Sequence, residues 1–315
     1  MLLRIGSISG LRISENVPLA QCTRFGIGGP AQWLVDASSE TALIQALAGL
    51  EESGIRHVVI GGGTNLVASD SGFPGAIVRY TCAPIEVLPE TACVRVAAGA
   101  VLQDLVDRTI ACGLAGLETL TGIPGWVGGA IYGNAGAYGH SIHERIQSVS
   151  FFDATRVQVL DQAACEFQYR SSIFKRNKSW IILGAELQLT HGDAVDLIQT
   201  ANGIRKIRDE KYPASMLCAG SIFKNLILAE LSESARGRVP DKVVREGKVP
   251  SAYFLEQVGV KGMVLGGMKV ADYHANLIFN QGGGTAQELC QLIAELKRRV
   301  REQFGIELEE EVQYI

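Results

Sequence analysis

The chain has 315 residues, 47% of them hydrophobic and 20% charged, a profile of a soluble globular protein too long for one compact core. A formal net charge of -4 and an isoelectric point near 5.8 exclude nucleic acid as the main partner, because phosphate backbones select net positive faces. No apolar run reaches membrane-spanning length, and the opening MLLRIGSISG turns polar too early for a signal peptide. Seven cysteines with no C-x-x-C spacing match reduced thiols, and the five histidines lack ligand spacing. The expectation is a cytoplasmic protein with no metal, nucleic-acid or membrane partner.

Residues 17–37 read as an entry segment with a glycine turn at Gly26–Gly29 between extended pieces. A helix follows, capped by Ser39, with Leu43, Ile44, Leu47 and Leu50 on one face and Gly54 at its end. A strand from Arg56 to Ile60 then runs into GGGTNL, residues 61–66. This is not a Walker loop, since no Gly-Lys-Ser/Thr follows, nor a Rossmann fingerprint, which needs a helix directly after the glycines. LVASDSGFPG and a strand at Ala76–Tyr80 follow instead. Backbone amides and the Thr64-Asn65 pair are left to hold a cofactor with no helix behind them.

A strand (Cys93–Ala97) and a helix (Leu102 to Cys112) lead to TGIPGWVGGAIYGNAGAYG, residues 121–139. It carries seven glycines and no charged side chain. Glycine lets another group approach the main chain, and successive N–H groups can cradle an anion such as a diphosphate. A pair of tight turns between strands is the competing reading. Strands near Val149–Asp153, Val157–Leu160 and Trp180–Leu189 flank FQYRSSIF, 167–174, where Arg170 is either a structural ion-pair partner or a catalytic group.

A helix from Val195 to about Arg208 carries the basic run Arg205, Lys206, Arg208 and Lys211. LCAGSIFKN, 217–225, presents Ser221 without a G-x-S-x-G pattern or a nearby histidine, which argues against a hydrolase elbow. Residues 226–250 mix charges of both signs with prolines and read as a surface excursion or a lid. Two short strands (Met268–Ala271, Asn276–Phe279) precede the clearest helix, with a Thr285/Glu288 capping box, an apolar face through Leu289, Leu292, Ile293, Leu296, Val300 and Phe304, and Gly305 at its end. A terminal strand, Ile306 to Ile315, is expected from its alternation, with Glu309, Glu311 and Gln313 on one face.

The ordered set GGGTNL (61–66), TGIPGWVGGAIYGNAGAYG (121–139), YRSSIF (169–174), AGSIFKN (219–225), HAN (274–276) and LEEEV (308–312) resembles the UDP-N-acetylenolpyruvoylglucosamine reductase (MurB) family, over nearly the whole chain. The resemblance implies an α+β fold: a three-lobed flavoenzyme with a bipartite FAD-binding region of the PCMH/VAO type and a separate α+β substrate-binding domain. Its lobes would be 1–80 plus 305–315, 81–203, and 204–304 with an insertion at about 226–250. It also implies a monomer that uses NADPH and FAD to reduce the enolpyruvyl ether of UDP-N-acetylglucosamine enolpyruvate to a lactyl ether, a step of bacterial cell-wall precursor synthesis.

Site roles follow from the same resemblance. Gly61, Gly62, Gly63, Thr64, Asn65 and Leu66, with Thr121, Gly122, Ile123, Pro124, Gly125, Gly128, Gly129, Asn134 and Gly136, would hold FAD. Ser221 would protonate C2 of the substrate, Arg170 would neutralise its carboxylate, and Glu311 would face the same enolate, where a carboxyl helps only in its protonated form. Tyr169, Lys211, Asn225, Lys261 and His274 would bind the sugar nucleotide. The chain departs from the family pattern at Leu217-Cys218, Leu226, Tyr273 and Glu310, and the insertion contains no tyrosine, so its basic residues Arg236, Arg238 and Lys242 are expected to close over the substrate by charge. Two alternatives are another FAD-dependent oxidoreductase of this scaffold acting on a hydroxy acid or alcohol, and a non-catalytic sugar-nucleotide-binding descendant. Gly61–Leu66 offers no histidine or cysteine for a covalent flavin tether, which disfavours the first. The joint presence of Arg170, Ser221 and Glu311 disfavours the second.

Overall fold

The computed structural model describes residues 5–315 and divides into two compact units that alternate along the chain. The first takes Ala31–Gly62 and Pro74–Ala214 with the N-terminal stretch through Val17; the second takes Pro18–Pro30, Gly63–Phe73 and Ser215–Ile315.

In the first unit, a four-stranded sheet runs in the order Leu11–Pro18, Pro30–Ala37, Phe73–Tyr80, His57–Ile60, and its last pair is parallel, with His57 opposite Ala76. The parallel pair needs a crossover between its two strands, and residues 61–72, with the short strand Leu66–Val67, supply it; the helix Glu40–Glu52 precedes both. Ser39 caps that helix by accepting from the Ala42 N–H, while Ala42, Leu43, Ala46, Leu47 and Leu50 bury its inner stripe. A five-stranded antiparallel sheet follows, ordered Val157–Asp161, Ile146–Phe152, Ile181–Gln188, Cys93–Ala97, Ile85–Leu88. One apolar core, from Val35 and Leu43 through Leu105 to Phe151 and Leu187, underlies both sheets. The separate lobes implied by the resemblance, 1–80 plus 305–315 and 81–203, remain a proposal.

The second unit is built on a three-stranded antiparallel sheet, Val264–Leu265, Met268–Ala271 and His274–Asn280, with the helices Ser251–Gln257 and Ala286–Phe304. The long helix carries the expected capping box at Thr285 and Glu288 and ends at Gly305 with φ +67°. Its first turn is further satisfied by the Asp70 carboxylate, which accepts from the N–H groups of Ala286 (2.8 Å) and Gln287 (2.9 Å). Phe25, Ile27 and Val67, remote in sequence, share the core of this unit with Phe223, Phe254, Leu289 and Leu296.

Three expectations are corrected. Residues 306–315 form a strand only at Gln313–Tyr314, paired in parallel with Leu66–Val67. Before it, Ile306 and Leu308 are buried in the core of this unit, and Glu309–Glu311 pair with a different segment, around Phe223. A short helix, Val127–Tyr132, lies inside the second glycine stretch, where no helix is expected; Val127 and Ile131 are fully buried and hold it in place. The 226–250 excursion is closed at its base by Leu226–Ile227 pairing with Lys248–Val249, and Leu231, Ala235 and Val249 are buried. Arg238 donates to the Gln303 carbonyl at 2.8 Å and stacks over Phe304, and Arg236 donates to the Leu231 carbonyl, so two of the three basic residues serve to hold the excursion itself.

Candidate active site

Within the first unit the two glycine runs meet. A side chain built on Gly62 would touch the Trp126 ring at 3.2 Å and Gly125 Cα at 3.4 Å, and one on Gly61 finds only the Gly129 nitrogen, 3.9 Å away. A side chain on Gly129 would meet nothing within 4 Å. The result is bare main chain from both runs facing open space. Beside it the hydroxyl oxygens of Thr119 and Thr121 are buried without a hydrogen-bond partner among the described residues. Buried hydroxyls seldom stay unpaired, so the pair fits a bound polar group. An uncharged cradle of backbone with orphaned hydroxyls suits FAD, whose phosphates can take N–H and O–H donors. Gly63 also packs within the second unit: its φ is +67° and a Cβ would collide with the Cys22 carbonyl. Thr64, Asn65 and Leu66 also belong to that unit.

The far half of the second glycine run is tied to the Arg170 segment. Ser172 donates to the Tyr132 carbonyl (2.8 Å), Asn134 Nδ2 to the Gln168 carbonyl (2.8 Å), and Arg170 to the Gly136 carbonyl (2.9 Å). His143 Nδ1 contacts Asn134 Oδ1 at 3.2 Å, fixing the amide from its other end. Gln168 and Ser171 exchange two backbone hydrogen bonds around Tyr169-Arg170, a tight turn that leaves Arg170 at φ +55°. Glycine or asparagine would sit there more cheaply. An arginine held in that region points to a role for its side chain. The guanidinium lies 5.2 Å from the Tyr169 ring centroid.

In the second unit, the Ser221–Asn225 segment is clamped on two sides. Ser221 bridges to Leu277, and the Ile222 N–H donates to the Asn276 carbonyl at 3.0 Å. Asn276, 2% exposed, acts as a surrogate strand: its Oδ1 accepts from the Phe223 N–H (2.9 Å) and its Nδ2 donates to the Phe223 carbonyl (2.8 Å). Its own N–H donates to His274 Nδ1 at 3.2 Å, which leaves the imidazole proton on Nε2. On the other side the Glu311 N–H donates to the Ile222 carbonyl (2.7 Å) and the Lys224 N–H to the Glu309 carbonyl (2.9 Å). Asn65 Nδ2 donates to the Glu311 carbonyl at 2.9 Å. Ser221, Glu311, His274 and Asn65 are thus gathered into one hydrogen-bonded ladder, although 246 residues separate Asn65 from Glu311.

The remaining expected binding residues come from three different segments. Lys261 pairs with Glu256 at 2.8 Å beyond the helix Ser251–Gln257. Lys211 ends the helix Ala194–Lys211 in the first unit, with its ammonium 5.2 Å from the Tyr212 ring, and Asn225 is exposed. Sequence reading gave Asn276 no task. The available signal was an amide amid the apolar strand HANLIFN, where a buried polar group must find partners.

Comparison with known proteins decides what this arrangement belongs to. UDP-N-acetylenolpyruvoylglucosamine reductase of Solibacter usitatus (strain Ellin6076) is 58% identical over 99% of this chain and 100% of its own length. The chain belongs to the UDP-N-acetylenolpyruvoylglucosamine reductase family. It is an FAD-containing oxidoreductase. The reductase of Bacillus subtilis (strain 168) is 32% identical over 96% of this chain and 94% of its own length. The FAD-binding-domain family matches residues 31–157, which hold both glycine runs, and the C-terminal domain of UDP-N-acetylenolpyruvoylglucosamine reductase matches 212–315, which holds Ser221 and Glu311. Arg170 and Lys211 fall between the two matches. The crystal structure of the reductase (MurB) from Thermus caldophilus superposes with a TM-score of 0.76 at 26% identity, covering 96% of this chain and 99% of that one.

Proposed function

We propose that this reductase converts UDP-N-acetylglucosamine enolpyruvate to UDP-N-acetylmuramate, with Arg170, Ser221 and Glu311 as its catalytic residues. Bound FAD supplies the redox chemistry, carrying reducing equivalents from NADPH to C3 of the enolpyruvyl group. The rest is work for side chains. Arg170 holds the substrate carboxylate and offsets the charge that builds on it. Ser221 delivers the proton to C2, and Glu311 faces the enolate next to it. The observation that carries this assignment is the Glu311 N–H to Ile222 carbonyl bond of 2.7 Å, which holds Glu311 one rung from Ser221.

His274, Asn225, Tyr169, Lys211 and Lys261 are proposed to bind the sugar nucleotide. Gly61–Leu66 and the residues from Thr121 to Gly136 named above are proposed to hold FAD. A cytoplasmic, monomeric enzyme is proposed as well; among the described residues no helix is long and apolar enough to cross a membrane.

An anaerobic titration tests the reaction. NADPH should bleach the flavin absorbance of the purified holoenzyme, and UDP-N-acetylglucosamine enolpyruvate should restore it. A flavin that bleaches without recovering would move the assignment to another acceptor.

A further inference from the structure

The residue beside Glu311 carries a device of its own. Glu310 stands where the family pattern has proline, and both of its carboxylate oxygens are taken: Oε1 by Lys297 Nζ at 2.8 Å, Oε2 by the Tyr314 hydroxyl. Lys297 projects from the helix Ala286–Phe304, whose buried stripe fixes it in the core of the second unit. Glu310 also bridges to Phe223 through its backbone. The two side chains of the ion pair are only 22% and 28% exposed, so water screens the pair less than a surface bridge. Tyr314 is held protonated, first by burial and then by the hydrogen bond to Glu310. Other ionisable groups near this cluster are Cys290, Asp70 and, beside Lys297, Glu307; burial, and then Glu310 and Asp70, push the Cys290 thiol up and keep it a neutral neighbour.

We infer that the Lys297–Glu310–Tyr314 anchor is a positioning device for Glu311, setting the height of the 309–311 segment against Ser221–Lys224. The inference rests on the catalytic reading of Glu311 given above. A proline at 310 would stiffen this segment through its ring; here one charge-assisted hydrogen bond ties it to Lys297 on the long helix and another to the Tyr314 hydroxyl in the terminal strand. Glu311 is tied through its backbone to Ile222, Asn65 and Gln313, and the anchor adds a tie from the neighbouring residue to the long helix.

The test uses the holoenzyme with Lys297→Met, Lys297→Arg and Tyr314→Phe. Solvent exchange of the Glu311 amide proton, followed by NMR, should speed roughly tenfold in Lys297→Met and in Tyr314→Phe, and recover in Lys297→Arg. Flavin reoxidation by UDP-N-acetylglucosamine enolpyruvate should slow roughly tenfold in the first two variants, with NADPH-driven bleaching and substrate KM changed less than about twofold. Unchanged Glu311 exchange in folded Tyr314→Phe would overturn the anchor, as would equal loss in both half-reactions. Should Lys297→Met fail to fold, Tyr314→Phe decides alone. Wild-type flavin that is not reoxidised by the substrate would instead remove the assigned reaction, and the amide exchange would still judge the anchor.

Discussion

The backbone N–H of Glu311 donates to the carbonyl of Ile222 at 2.7 Å, so the proposed proton donor Ser221 and the proposed enolate partner Glu311 are placed by one and the same ladder. Neither side chain depends on a long flexible loop for its position. What each does in the reaction can therefore be separated by substitution without dismantling the other.

Ser221→Ala removes only a hydroxyl from a half-buried site. Bleaching by NADPH should be nearly unaffected, whereas reoxidation by the sugar nucleotide should fall by about a hundredfold or more, the usual cost of a lost general acid. Stopped-flow measurement of the two half-reactions separates these outcomes. Equal loss in both would make Ser221 a structural residue.

Arg170 occupies φ +55°, where a side chain raises the energy by about 1–2 kcal/mol and glycine does not. Arg170→Gly and Arg170→Ala both lose the guanidinium and should both be nearly inactive. They should differ in stability, with the glycine variant the firmer by about 1 kcal/mol. Urea unfolding of the pair reads this directly. Equal midpoints would show that the turn relaxes around residue 170.

The glycines divide by purpose. Gly129→Ala adds a methyl group into open space on a helical residue, so the fold should be kept or slightly strengthened, by up to about 1 kcal/mol, while FAD is held less tightly. Gly63→Ala meets the Cys22 carbonyl at a positive φ and should destabilise the protein by more than about 1 kcal/mol. FAD retention on gel filtration, set against thermal unfolding, distinguishes the two losses. Normal FAD retention in Gly129→Ala would take that face out of the cofactor site.

Acid should loosen the long helix of the second unit. Hydrogen bonds from Arg298 and then Arg299 hold Glu295 at about 2, well below its ordinary 4.5. A depressed carboxylate contributes stability that is complete above the unfolded value, near 4.5, and is lost as pH falls towards 2. The contribution is modest, since the side chains are partly solvated. In Glu295→Gln the fall of melting temperature across that window should be shallower than in the wild type. An identical slope would show that the exposed pair carries no stability.

Much of this was legible in the sequence. Cys93–Ala97 and the Thr285–Gly305 helix read true because local signals (alternation, a capping box, a terminal glycine) agree there with the tertiary packing. The helix Val127–Tyr132 did not, since VGGAIY has two glycines and no cap, and it forms because buried Val127 and Ile131 pay for it. The terminal segment looked like one strand, yet it changes partner from Phe223 to Leu66–Val67 within a few residues, and no alternation of side chains records a change of partner. Asn276 escaped notice for a related reason: its work is to satisfy the backbone of a residue 53 positions away.

The interleaving of the units sets what can be exchanged genetically. A fragment cut at Ser215 looks like a self-sufficient module, but it lacks Phe25, Ile27 and Val67, all nearly fully buried among its own side chains. Such a fragment would expose the cavity they fill and should clump or be degraded. Shuffling this gene against a relative at that junction would join interior surfaces that never adapted to each other. The smallest heritable part that carries the Ser221–Glu311 ladder therefore reaches back at least to Pro18.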